Sequence, residues 1–221
     1  MKSLLLASWV VLMAASPMAF AQGKPEPQND RTSARAFWRF AGCAADSAPA
    51  RVQKLLEHYP WTTTDTEEAA KFAKARSDCL MPEDSLAFRS DLFRGALASA
   101  LLVKKYAGRS FPDFARFPFA FGPDGLSGLE GDSRRAYLSL AFSECVFRTS
   151  PAATWTVLKA EPFSQADTQA FAGLGPTMSA CLPLQPGDQV QFTRSALRNF
   201  LAIASYESDK RVTAIPVTGG N

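Results

Sequence analysis

Histidine is nearly absent from this chain: among 221 residues there is one, His58. A single imidazole rules out any metal site built from two or more histidines, and a Ser-His-Asp arrangement would need His58 beside a nucleophile for which no motif is present. The glycines nowhere gather into a phosphate-cradling loop, no zinc-protease helix occurs, and the four cysteines include no C-x-x-C pair of the kind that redox and zinc chemistry favour. Charge of one dominant sign is also lacking, since 24 Lys and Arg stand against 21 Asp and Glu with no basic block among them. Nucleic acid and anionic membrane surfaces are therefore poor partners. Past residue 21 no apolar run reaches the roughly 20 residues that a membrane span requires. These patterns give no catalytic residue, no cofactor and no metal; only a carboxylate pair of the glycosidase type would leave no local trace.

What is present begins at Lys2, which is followed by an apolar run from Leu4 to Met13 and by small residues ending in Ala19-Phe20-Ala21. That order of charged, apolar and small-residue zones predicts a cleavable secretory signal peptide over 1–21. Export would place the remaining chain in an oxidising compartment, where the even set Cys43, Cys79, Cys145 and Cys181 would be expected to pair.

Three pairings of four cysteines exist, and an internal repeat chooses among them. A shift of 102 positions lays Cys43 on Cys145, Pro49 on Pro151, Leu56 on Leu158, Asp65-Thr66 on Asp167-Thr168, and Cys79-Leu80 on Cys181-Leu182. Over the 38 positions from Cys43 to Leu80, eleven are identical, where ordinary composition gives roughly two or three. With two more residues in the second copy the offset becomes 104, and Phe88, Arg94, Leu97, Ala98 and Ala100 fall on Phe192, Arg198, Leu201, Ala202 and Ala204. If each copy closes its own bridge, the pairs are Cys43–Cys79 and Cys145–Cys181, each contributing about 4 kcal/mol in the chain-entropy view.

The periodicity is helical. Leu92, Phe93, Ala96, Leu97, Ala100 and Leu101 form one face of a helix, and the second copy repeats the pattern. The sequence predicts an all-α protein of two pseudo-repeated modules of about four helices each, 33–107 and 132–208. In each, the first helix carries a cysteine, the second opens at Pro49 or Pro151, the third starts near Thr64 in the first copy, and the fourth is the longest. Thr64 and Glu67 have the spacing of a capping box. Gly173, Gly175 and Pro176 predict a break in the third helix of the second copy. The stretches 85–88 and 189–192 alternate weakly and read as extended. The polar segment 22–32 and the tail 209–221 read as flexible.

Between the modules, 108–131 is rich in Gly and Pro and carries Phe111, Phe114, Phe117, Phe119 and Phe121. A free linker is polar, so this strap must be buried, either across the groove between the modules or in a partner protein; the five phenylalanines are the candidate partner-binding residues. Arg94 and Arg198, one per copy in otherwise apolar helices, are either internally paired or a pair of anion-binding positions. Asp65 and Asp167 fall in a helix first turn, where the helix dipole favours negative charge. His58 has Ala160 as its counterpart, so the module does not require it.

The strings Ser143-Glu144-Cys145-Val146 and Ser179-Ala180-Cys181-Leu182-Pro183, with Phe192 to Arg198 after them, resemble uncharacterised exported helical proteins of alphaproteobacteria, of the sphingomonad type. The resemblance covers mainly the second module and not the strap. It implies a Gram-negative periplasm or cell surface and carries no activity. The expected function is a non-catalytic protein that binds a protein partner in the cell envelope. A small-anion-binding protein using the groove between modules is the alternative, and a carboxylate-dependent hydrolase the second.

Overall fold

The structure, a computed structural model, describes residues 28–57, 63–81, 90–114, 117–181 and 192–214. Residues 1–21, His58, the stretches 85–88 and 189–191, and the side chains of Thr64 and Asp65 lie outside the described residues. Eight α-helices and no strand occur among those described: α1 (Gln28–Ser47), α2 (Pro49–Leu55), α3 (Thr63–Ala75), α4 (Ser90–Lys105), α5 (Gly131–Thr149), α6 (Pro151–Lys159), α7 (Gln165–Cys181) and α8 (Arg194–Ala214). The all-α expectation holds.

Both helix-opening prolines start their helices, where a missing N–H removes no intrahelical bond. Cys43 on α1 is bridged to Cys79 in a 3-10 turn just past α3, and Cys145 on α5 to Cys181 at the end of α7. Each bridge therefore ties the first helix of its half to the end of the third, as the repeat predicts.

Several boundaries differ from the sequence reading. α1 begins at Gln28 rather than Ser33, because its first turn has partners: the Thr32 hydroxyl donates to the Gln28 carbonyl, and the Arg31 guanidinium lies 5.5 Å from the Phe163 ring. α8 continues past Asp209 to Ala214, because Asp209 is buried and bonded to Lys105 and Tyr106. α7 is unbroken through Pro176. The proline frees the carbonyl of Ala172, and both residues face solvent, where water can take up that carbonyl. In the first half α1, at 20 residues, exceeds α4, at 16; α8, at 21 residues, is the longest of its half.

Four helices run side by side in the order α1, α4, α8, α5. Phe37 and Phe40 of α1 pack on Phe93 of α4 at 5.6 and 5.4 Å, and further along Lys104 reaches the Ala45 carbonyl at 3.0 Å, so α1 and α4 are parallel. α4 and α8 are parallel too. Gly95 meets Asn199, and ten residues on the Lys105 ammonium sits 2.7 Å from Asp209. Asn199 and Asp209 each lie 104 positions after their partners, which is the offset that aligns Phe88 with Phe192 and Arg94 with Arg198.

Gly95 is what lets α4 and α8 approach. A Cβ there would stand 1.4 Å from the Asn199 Oδ1 and 2.7 Å from its Cα; the amide could swing away, but the backbone can yield only if the helices part. Gly95→Ala is expected to cost about 2–3 kcal/mol in urea unfolding followed by circular dichroism. Gly42→Ala on α1 is the control: its Cβ meets nothing within 4 Å, so helix propensity alone predicts a gain of about 1 kcal/mol.

Candidate functional site

The strap is irregular backbone whose polar groups need partners, and side chains from α5 and α8 supply them. Glu144, fully buried on α5, accepts the amides of Ala120 and Phe121 at 2.8 and 2.7 Å, one on each carboxylate oxygen. Oε1 also accepts the Ser208 hydroxyl and two N–H groups of Arg148, one turn further along α5. Arg148 in turn donates to the carbonyls of Phe114, Phe117 and Pro118, each at 2.7 Å. Arg211 of α8 closes the clamp on the carbonyls of Phe119 and Ala120, at 3.1 and 3.0 Å.

Held this way, the five phenylalanines meet different fates. Phe114 is buried edge-on against Phe147, and Phe121 is buried edge-on against Tyr137. Phe111, half-buried, stacks on Trp155 with ring centroids 5.0 Å apart, and Phe117 is half-buried. Phe119 alone stands out, 55% exposed, with the Arg148 guanidinium 4.3 Å from its ring centroid. The strap is thus mainly core of the second half, with one aromatic side chain left to face solvent.

Beside Phe119 opens a groove of about 510 Å³ between the strap, α5 and the C-terminal end of α8, within the range of ordinary ligand sites. Phe119, Phe121 and Tyr137 form aromatic wall; Glu57, Asp124 and Glu207 bring three carboxylates to it and Arg211 one guanidinium. The Tyr137 hydroxyl donates to the Gly122 carbonyl at 2.8 Å, and burial raises its pKa. Burial also pushes the Glu207 carboxyl above the usual carboxylate range, although the Lys210 ammonium, 3.1 Å from both of its oxygens, pulls the other way.

The two repeated arginines do not come together into one site. Arg94 is buried on α4 and donates to the Leu55 carbonyl at the end of α2. Arg198, on α8, is hydrogen-bonded to Asp167; burial pulls its pKa down while Asp167 holds it up. Asp167 does more than sit in a helix dipole. It also accepts the Phe163 amide at 2.8 Å, while the Ser164 hydroxyl accepts the Asp167 amide at 3.1 Å, a reciprocal cap on the start of α7. Phe163 itself takes φ 61°, a left-handed conformation rare for an aromatic residue, with the Arg194 guanidinium 5.8 Å from its ring centroid. The cavity that Arg198 lines between α4 and α8 is about 30 Å³, far below the range of ordinary ligand sites.

At the far end of the α4–α8 contact, Asp209 accepts Lys105 on both oxygens and the Tyr106 hydroxyl at 2.5 Å. Burial drives the Tyr106 hydroxyl strongly upward, and the bond to Asp209 adds to it. Tyr206, one turn before, is pushed up to about 12, mainly by burial. Asp209, Lys105 and Tyr106 are structural groups with their partners already in place.

Glu144 and Arg148, which pin the strap, are the residues of this candidate site that sequence reasoning passed over. Their signal was available: a carboxylate and a guanidinium four residues apart in a helix that is apolar from Leu140 to Phe147 but for Ser143 and Glu144. Their counterparts at the 102 offset are Gly42 and Asp46, so the clamp belongs to the second half alone. Among known proteins, no family model, no curated protein and no solved structure matches the chain.

Proposed function

We propose that the chain is a non-catalytic extracytoplasmic binding protein that docks a protein partner in the strap groove, as an accessory subunit of a cell-envelope complex. Two closed disulfides, and the absence among the described residues of any helix long and apolar enough to cross a membrane, fit an exported protein. The observation that carries the reading is the groove itself: a large concavity with an exposed aromatic residue at its edge, on a segment pinned at seven backbone groups by Glu144, Arg148 and Arg211. A pre-ordered surface of this kind loses little entropy when a partner binds. The periplasm is the setting that the resemblance supports.

The anion reading has less to stand on, because Arg198 already faces Asp167 and the cavity it lines is only about 30 Å³. The hydrolase reading would draw on Glu207, whose oxygens are both engaged by Lys210.

The test is a photo-crosslinking amino acid at Phe119, introduced into the chain in producing cells, with Met81, 50% exposed in the first half, as control. A protein captured at Phe119 and not at Met81 is the expected outcome; equal capture at both positions, or none, sinks the reading. Replacing the strap phenylalanines together would be uninformative, since Phe114 and Phe121 belong to the core.

A further inference from the structure

We infer that the partner enters the strap groove with a basic segment, an arginine or lysine side chain lying between the aromatic wall and the carboxylates. The inference rests on the docking reading above and specifies its chemistry. Of the four charged side chains lining the groove, Arg211 spends both terminal nitrogens on strap carbonyls and Glu207 is met by Lys210. Glu57 and Asp124 make no side-chain hydrogen bond or ion pair among the described residues. Counting Lys210, the groove sets three carboxylates against two cations and so keeps a net negative charge, with Glu207 in a site whose burial disfavours its charged form. An incoming cation would relieve that burden. Tyr137, and the face of Phe119 that Arg148 does not cover, add ring surface of the kind that favours guanidinium and ammonium groups.

Other occupants fit less well. An acidic or phosphorylated segment would meet three carboxylates and a guanidinium already turned to the strap carbonyls. A bare metal ion would need the carboxylates to converge, and the only convergent group among the described residues is Cys43, Asp78 and Cys79, whose sulfurs are in the disulfide.

Two measurements test this. In the first, purified mature chain is titrated with two labelled eight-residue peptides by fluorescence anisotropy, one alternating Phe with Arg and the other Phe with Glu. The basic peptide should bind at least about tenfold more tightly at low salt, with the preference shrinking as ionic strength rises. Asp124→Lys should remove most of the preference, and the double variant Glu57→Gln/Asp124→Asn should cut affinity about fivefold. Both positions are exposed, so thermal melts of the variants should match wild type. Equal affinity for the two peptides, or a preference for the acidic one, overturns the inference. In the second, the peptide crosslinked at Phe119 is sequenced. A captured segment with Arg or Lys whose yield falls in the double variant supports the inference. Capture of a segment without basic residues, at unchanged yield, overturns it while leaving the docking reading standing; no capture at Phe119 removes both.

Discussion

Glu144→Ala is expected to lower stability by about 3–5 kcal/mol, the range for removing one member of a buried ion pair and stranding the other. The loss is larger than one contact because Glu144 serves three sets of donors at once: two strap amides, the Arg148 guanidinium and the Ser208 hydroxyl. Arg148 would keep its three strap carbonyls but would hold an uncompensated charge beneath Phe119. Domains of this size are typically stable by about 5–15 kcal/mol, so the variant should remain folded in dilute buffer and unfold at markedly lower urea. Glu144→Gln separates the two contributions, because its single carbonyl oxygen can still accept one donor; a cost of about half is expected. If both variants unfold at the wild-type midpoint, Glu144 does not hold the strap.

The second large effect is expected from the bridges. Cys43–Cys79 and Cys145–Cys181 each span 36 residues, and a loop of that length contributes about 4 kcal/mol in the chain-entropy view. The paired substitutions Cys145→Ser/Cys181→Ser and Cys43→Ser/Cys79→Ser should therefore each shift the urea midpoint strongly. Opening both bridges takes away about 8 kcal/mol, as much as many domains possess. Wild-type chain held in reductant should then lose its helical circular dichroism at room temperature. Retention of full ellipticity with all four thiols free would show that the helical core alone suffices.

The disulfide framework was legible because the two cysteine pairs share one spacing, with matching residues around them, and the helix starts at Pro49 and Pro151 because proline has few places to go. Arg198 and Asp167 were each conspicuous, but their meeting was not, since a salt bridge across 31 residues leaves no spacing to detect. The continuity of α7 through Pro176 escaped for a related reason: whether a proline breaks a helix depends on whether the carbonyl it frees faces water, which is a property of the packed molecule. The strap's phenylalanines announced burial without saying against what. Four of the five go largely to the interior, and what they leave open at Phe119 was set by Glu144, Arg148 and Arg211, polar residues that no apolar pattern could point to.

Along the line where α4 and α8 touch, Gly95 faces Asn199 and Lys105 faces Asp209. Two identical subunits meeting on a two-fold axis would bring each of these positions against its own copy, lysine on lysine. Once both helices lie in one polypeptide they are free to diverge, and a small residue can face a large one and a cation an anion. The strap keeps the twin helices at an effective concentration on the order of millimolar or more, so no dilution separates them. What would be the assembly step of a dimer is here part of folding, and the face that mediates it is not available for building anything larger.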